Sequence, residues 1–98
     1  MLDEVIHQST RLRIMAALVG LDENVRVDFG HLLRELELTD GNLSIHLQKL
    51  EDAGLVSIEK EFVGRKPRTR VMATRAGRRR FGVYVEELER IVRGGIGS

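Results

Sequence analysis

The sequence predicts a mainly α-helical domain with a small β-hairpin, in the order α-β-α-α-β-β-α. Three observations carry this. Four stretches place apolar residues at helical spacing, and each opens on a residue able to cap a helix. Between the third and fourth, two strand-like runs flank Gly64. Finally, 42% of the 98 residues are hydrophobic but only 4% aromatic, with a single proline, which calls for an aliphatic, helix-rich core in one domain.

Leu2 to Gln8 is a lead-in with a helical turn as one option. Ser9 or Thr10 is expected to cap a helix running to about Val19, because a hydroxyl there accepts from an orphan amide. Leu12, Met15, Ala16 and Val19 form one stripe on it. Ile14, Ala17, Leu18 and Leu21 form a second, so this helix must touch more than one neighbour. After the turn at Asp22-Glu23-Asn24, the alternating Val25-Arg26-Val27 suits a short edge strand. Asp28 caps a helix over Phe29 to Leu36, with Phe29, Leu32, Leu33 and Leu36 on one face. Glu37-Leu38 links it to a helix over residues 40–53, capped by Thr39 and stopped at Gly54, and the pair is a helix-turn-helix candidate. Residues 55–62 read as a strand with Val56, Ile58 and Phe62 on one face. Residues 63–67 read as the turn, and 69–73 as the returning strand. Thr74 caps a last helix over about 75–93, which also carries the i,i+4 pairs Glu86 to Arg90 and Glu89 to Arg93. The domain is thus expected over residues 1–93, with 94–98 as a flexible tail.

Charge is distributed unevenly. Val63 to Arg80 hold eight cations and no acid, so a net charge of +1 divides into +8 on this block and −7 on the remainder. A local field of that size suits a polyanionic partner. No cysteine is present, which removes disulfides, thiolate metal sites and cysteine nucleophiles. The longest run free of polar side chains, Ile14 to Leu21, is far below the ~20 residues that span a bilayer. The acidic start Met1-Leu2-Asp3-Glu4 lacks the basic region of a signal peptide. The expectation is a cytoplasmic protein with no membrane partner and no cofactor.

The string from Thr39 to Leu47, continuing through Leu50-Glu51-Asp52-Ala53-Gly54-Leu55-Val56, resembles the recognition helix and first wing strand of small prokaryotic winged helix-turn-helix regulators of the MarR/ArsR-like group. Gly64-Arg65-Lys66-Pro67-Arg68-Thr69 resembles their wing tip. Thr74-Arg75-Ala76-Gly77-Arg78 resembles the start of their last helix, and Arg11-Leu12-Arg13-Ile14 part of their first. The resemblance covers roughly residues 7–92 and implies a dimeric, DNA-binding transcription factor, with repression the expected mode. It departs from metal-sensing ArsR members: Glu35 to Asp40 offers no thiolate, and the last helix has no histidine, so no metal site is inherited.

On the helix 40–53, Leu43, Leu47 and Leu50 lie within about 60° of one another and form the buried stripe. The opposite face carries Gly41, Asn42, Ser44, Ile45, Gln48 and Lys49. Asn and Gln match adenine, Lys matches guanine, and an apolar Ile matches a thymine methyl in the major groove. Thr39 caps the helix at an end whose free amides can receive a phosphate. The hairpin cations Arg65, Lys66, Arg68 and Arg70 are expected on phosphates or in a narrow minor groove, while some of Arg75, Arg78, Arg79 and Arg80 are expected to pair internally. With three or four phosphates neutralised per subunit, a dimer should bind duplex DNA with log K falling against log[salt] at a slope of about −5 to −7.

The last helix outreaches so small a body. Its residues Tyr84, Val85, Leu88, Ile91 and Val92, with Leu12, Met15 and Val19 of the first helix, are the expected homodimer interface. The effector question stays open, with the cleft between first and last helices as the place for a small molecule. An enzyme is disfavoured: His7, His31 and His46 are far apart, and no glycine-rich phosphate loop or metal-ligand spacing occurs. The alternative is a winged helix protein–protein interaction module without specific DNA binding. RNA binding ranks lower because few aromatics stand ready to stack on bases.

Overall fold

The computed structural model describes residues 2–94. Its elements are α1 (Glu4–His7), α2 (Ser9–Val19), β1 (Val27–Asp28), α3 (Phe29–Glu35), α4 (Asp40–Asp52), β2 (Val56–Val63), β3 (Lys66–Ala73) and α5 (Arg75–Gly94). The expected order is therefore present, and the lead-in forms a helical turn. The expected tail beyond Gly94 lies outside the described residues. Among the described residues, no helix is long and apolar enough to cross a membrane.

Helix starts follow local chemistry. Asp3 caps α1, accepting from the amides of Val5 and Ile6 at 3.0 and 3.3 Å. The cap of α2 is Gln8 rather than Ser9 or Thr10: its side-chain carbonyl accepts from the Arg11 amide at 2.9 Å, and α1 leaves Ser9 already inside the helix. Asp28 caps α3 and Thr39 caps α4, as expected. Thr74 does more than cap α5. Its hydroxyl accepts from the Gly77 amide at 2.9 Å and donates to the Gly54 carbonyl at 2.6 Å, while its own amide donates to the Leu55 carbonyl at 3.1 Å. The start of α5 is thereby fastened to the α4–β2 turn. Gly77 is obligatory there, because a Cβ would collide with the Leu55 carbonyl.

The sheet order is β1-β3-β2, all antiparallel. The edge strand falls at Val27–Asp28, two residues later than the alternation suggested, because pairing is set by Val27 opposite Val71 and Asp28 opposite Arg70. The hairpin turn is tighter than expected. Val63 pairs with Lys66, leaving only Gly64 and Arg65 between the strands, and Gly64 has the positive φ (64°) that two-residue hairpin turns demand. Pro67 consequently lies within β3, where β1 is too short to pair with it and the missing donor leaves no gap.

The core is aliphatic. Ile6, Ile14, Met15, Leu18, Leu32, Leu43, Leu47, Leu50, Leu55, Val56 and Val71 are buried, with Tyr84 the one large aromatic among them. Each such side chain contributes about 1.5–3 kcal/mol of transfer free energy. Two residues expected at a dimer interface are part of this core: Met15 is 0% exposed and Tyr84 1%. Tyr84 is held from the other side by α1, its hydroxyl lying 2.8 Å from His7 Nδ1. The N-terminal turn thus helps to cover Tyr84 within the chain.

Candidate nucleic-acid interface

Helix α4 divides cleanly. Leu43, Leu47 and Leu50 point into the core, while Asn42, Ser44, Gln48 and Lys49 are exposed and Ile45 is 57% exposed. The helix is anchored at three places besides its leucines. The Thr39 hydroxyl accepts from the Asn42 amide at 3.2 Å. Glu51 Oε2 accepts from the Ile58 amide at 3.2 Å, tying the C-terminal turn to β2. His46 Nδ1 lies 3.2 Å from Arg11 Nη1, and Arg11 Nε donates to the Val5 carbonyl at 2.6 Å, so one guanidinium joins α1, α2 and α4. Burial, and then the charges of Arg11 and Lys49, lower the pKa of His46 and favour the neutral ring.

Gln48 is oriented by its neighbours. Its Nε2 donates to Asp52 Oδ1 at 2.9 Å and to Glu51 Oε1 at 3.4 Å. Two carboxylates can only receive the amide's N–H side, so its carbonyl oxygen is the group left to meet a ligand.

Between α4 and the hairpin runs an open groove of about 550 Å³, lined by Asp40, Ser44, Leu47, Gln48 and Glu51 on one side and by Ile58, Lys60 and Thr69 on the other, with Phe29 between. Cross-strand partners share a face, so the register sorts the finger's residues. Lys60 pairs with Thr69 and Phe62 with Pro67, and both pairs continue the face that carries buried Val56 and Val71. The other face carries Glu59, Glu61, Val63, Lys66, Arg68 and Arg70.

This register sets two of the expected cations apart from the groove. Arg68 Nε donates to Asp28 Oδ2 at 3.0 Å, and Arg70 Nε lies 3.2 Å from Glu61 Oε1, both on the face turned from the groove. Their charge is balanced within the chain. The hydrogen bond from Arg68, with that from the Gly30 amide, lowers the pKa of Asp28. Arg26 adds a third pair on this side, 3.2 Å from Glu59. Arg78 and Arg80 are also engaged. Arg78 donates to the carbonyls of Val19, Leu21 and Asp22, closing the end of α2. Arg80 meets Asp3 at 2.7 Å. Burial raises the Asp3 pKa, but the bonds from Arg80 and two amides outweigh it and the net shift is downward.

Among the described residues, Lys49 on α4, Lys60 on the groove wall and Arg65 and Lys66 at the finger tip have no acidic partner; Arg34 on α3 and Arg75, Arg79 and Arg90 on α5 have none either. Lys60 was not among the expected contacts. The signal was in the alternation Val56, Ile58, Phe62, whose missing member is position 60. Of the expected residues, the structure brings together Thr39, Asn42, Ser44, Ile45, Gln48 and Lys49 on α4 and Arg65 and Lys66 at the tip.

Comparison with known proteins agrees with this geometry. The family described as winged helix DNA-binding domain matches residues 10–92. An uncharacterized protein of Methanocaldococcus jannaschii is 35% identical over 85 residues, covering 87% of this chain and 89% of the relative. The structure of a transcriptional regulator homologue from Pyrococcus horikoshii OT3 superposes with a TM-score of 0.84 at 29% identity, covering 94% of this chain and 88% of that one. A MarR-family regulator structure from Enterococcus faecalis V583 shares the fold, with a TM-score of 0.73 at 24% identity, covering 88% and 74%. A three-stranded sheet, an outward polar helix beside a basic finger, and a family match over nearly the whole length converge: the chain belongs to the winged helix DNA-binding domain family and is a DNA-binding transcriptional regulator.

Proposed function

We propose that the chain reads a specific duplex sequence as a homodimer, with α4 in the major groove and the hairpin finger on the flanking phosphates. The observation that carries this is the groove that sets the exposed α4 face, with its amide, hydroxyl, ammonium and apolar groups, beside Lys60 of a hairpin whose tip carries Arg65 and Lys66. The contacts assigned are Thr39, Asn42, Ser44, Ile45, Gln48 and Lys49 from α4, Lys60 from the groove, and Arg65 and Lys66 from the tip. With its N–H side held by Asp52, Gln48 accepts from an exocyclic amino group, on adenine or cytosine.

Homodimerisation is supported by α5. Its 20 residues extend about 30 Å, and Ile91 and Val92 stay exposed, Val92 at 74%. With half-buried Val85 and Leu88 they offer an apolar strip to a second copy, flanked by Leu12 and Val19 of α2. Two-fold symmetry sets the two α4 helices about 34 Å apart, one turn of DNA.

Selection of bound sites from a random duplex library, followed by a salt titration, tests the reading. An enriched site with a salt slope between about −5 and −7 supports it. Absence of duplex binding at low salt refutes it, and favours the protein-docking alternative.

A further inference from the structure

Phe62 is the anomaly of the hairpin. It is 75% exposed, on a chain that places its other large aromatics in or against the core. Its cross-strand partner is Pro67, which gives it little cover, and Val63 beside it is 53% exposed. A solvated finger needs none of these apolar groups. The two-residue turn makes the tip narrow, and Arg65 and Lys66, without acidic partners among the described residues, stand at its end.

Position adds the direction. Phe62 follows Ile58 and Lys60 on the face that forms the groove against α4, about 7 Å beyond Lys60 along the strand. A ligand lying on α4 and Lys60 therefore meets Phe62 next. An apolar edge set among cations fits a polyanion that has an apolar interior, and duplex DNA has one between its base steps.

On the reading of α4 and the finger given above, we propose that Phe62, backed by Pro67, is a wedge that enters the minor groove beside the site read by α4, partly unstacks one base step and bends the duplex. Arg65 and Lys66 neutralise the phosphates on either side of it. Sequence preference then extends to positions that no side chain hydrogen-bonds, favouring flexible pyrimidine–purine steps under the tip.

The test uses the full chain and its selected duplex, end-labelled for energy transfer. Wild type should shorten the end-to-end distance, by a bend in the range of about 20–90°. Phe62→Ser, whose side chain is exposed and whose fold is checked by its melting curve, should abolish the bend and weaken binding about tenfold at an unchanged salt slope. Phe62→Leu should restore the bend, because an aliphatic wedge also unstacks bases. If wild type binds but Phe62→Ser binds and bends equally well, the wedge is refuted while the site reading stands. Loss of self-association, or of binding to anionic phospholipid vesicles, in Phe62→Ser with DNA bending intact would assign the tip to a second copy or a lipid surface and overturn the proposal. Failure of wild type to bind any duplex would refute the site reading and the wedge with it.

Discussion

A lysine and an arginine on neighbouring strands of one hairpin have opposite surroundings. Lys60 faces the groove without an acid, and Arg68 is held by Asp28 on the other face. Lys60→Ala should weaken duplex binding and reduce the salt slope by about one per subunit, whereas Arg68→Ala should leave the slope unchanged; anisotropy titrations at several salt concentrations read both. Surface pairs of this kind contribute little, about 0–1 kcal/mol, so Arg68→Ala should also fold. His46 makes a second residue-scale prediction. Its folded pKa is depressed below 6.5, so the native state binds fewer protons than the unfolded one below that pH. The contribution is whole above pH 6.5 and is lost as pH falls through the folded value. Urea midpoints at pH of about 7.5 and about 5.5 should show a drop that His46→Gln diminishes.

Elements are held by a few contacts that residue type alone identifies only in part. Gly77→Ala should destabilise the fold by more than about 2 kcal/mol in urea denaturation, although alanine is the better helix former by about 1 kcal/mol, because α5 would be driven off the Leu55 carbonyl. The two faces of α4 were legible beforehand, since leucines at 43, 47 and 50 state a helical period and leave its other side polar. The orientation of Arg68 and Arg70 was not. It depends on the hairpin register, and register depends on whether the turn has five residues or two. With Gly64 and Arg65 alone in the turn, positions 66–68 become strand, and alternation sets both arginines among Glu59, Glu61 and Asp28. Met15 and Tyr84 escaped for a related reason: an apolar stripe shows that a residue is covered, but not by which surface. For Tyr84 that surface is partly α1, a turn too short for its apolar pattern to show what it covers.

At the scale of the whole molecule, the proposed dimer makes the apolar strip of α5 decide how the DNA site is used. Ile91→Asp combined with Val92→Asp should yield a folded monomer by sedimentation, with the salt slope about halved and affinity reduced by orders of magnitude, since two linked half-sites bind as one. A wild-type chain that sediments as a monomer at tens of micromolar would contradict the assembly. The internal use of arginine has its own outcome for a regulator among millions of base pairs. Arg68, Arg70, Arg78 and Arg80 fasten strands and helices to one another, so the cation-rich stretch delivers only part of its charge to a nucleic acid. On the proposed mode of binding, grip on random sequence should be correspondingly loose. Each wrong stop along a chromosome would then be brief, more of the genome would be sampled in a given time, and residence would be reserved for places where the bases themselves add to the bond.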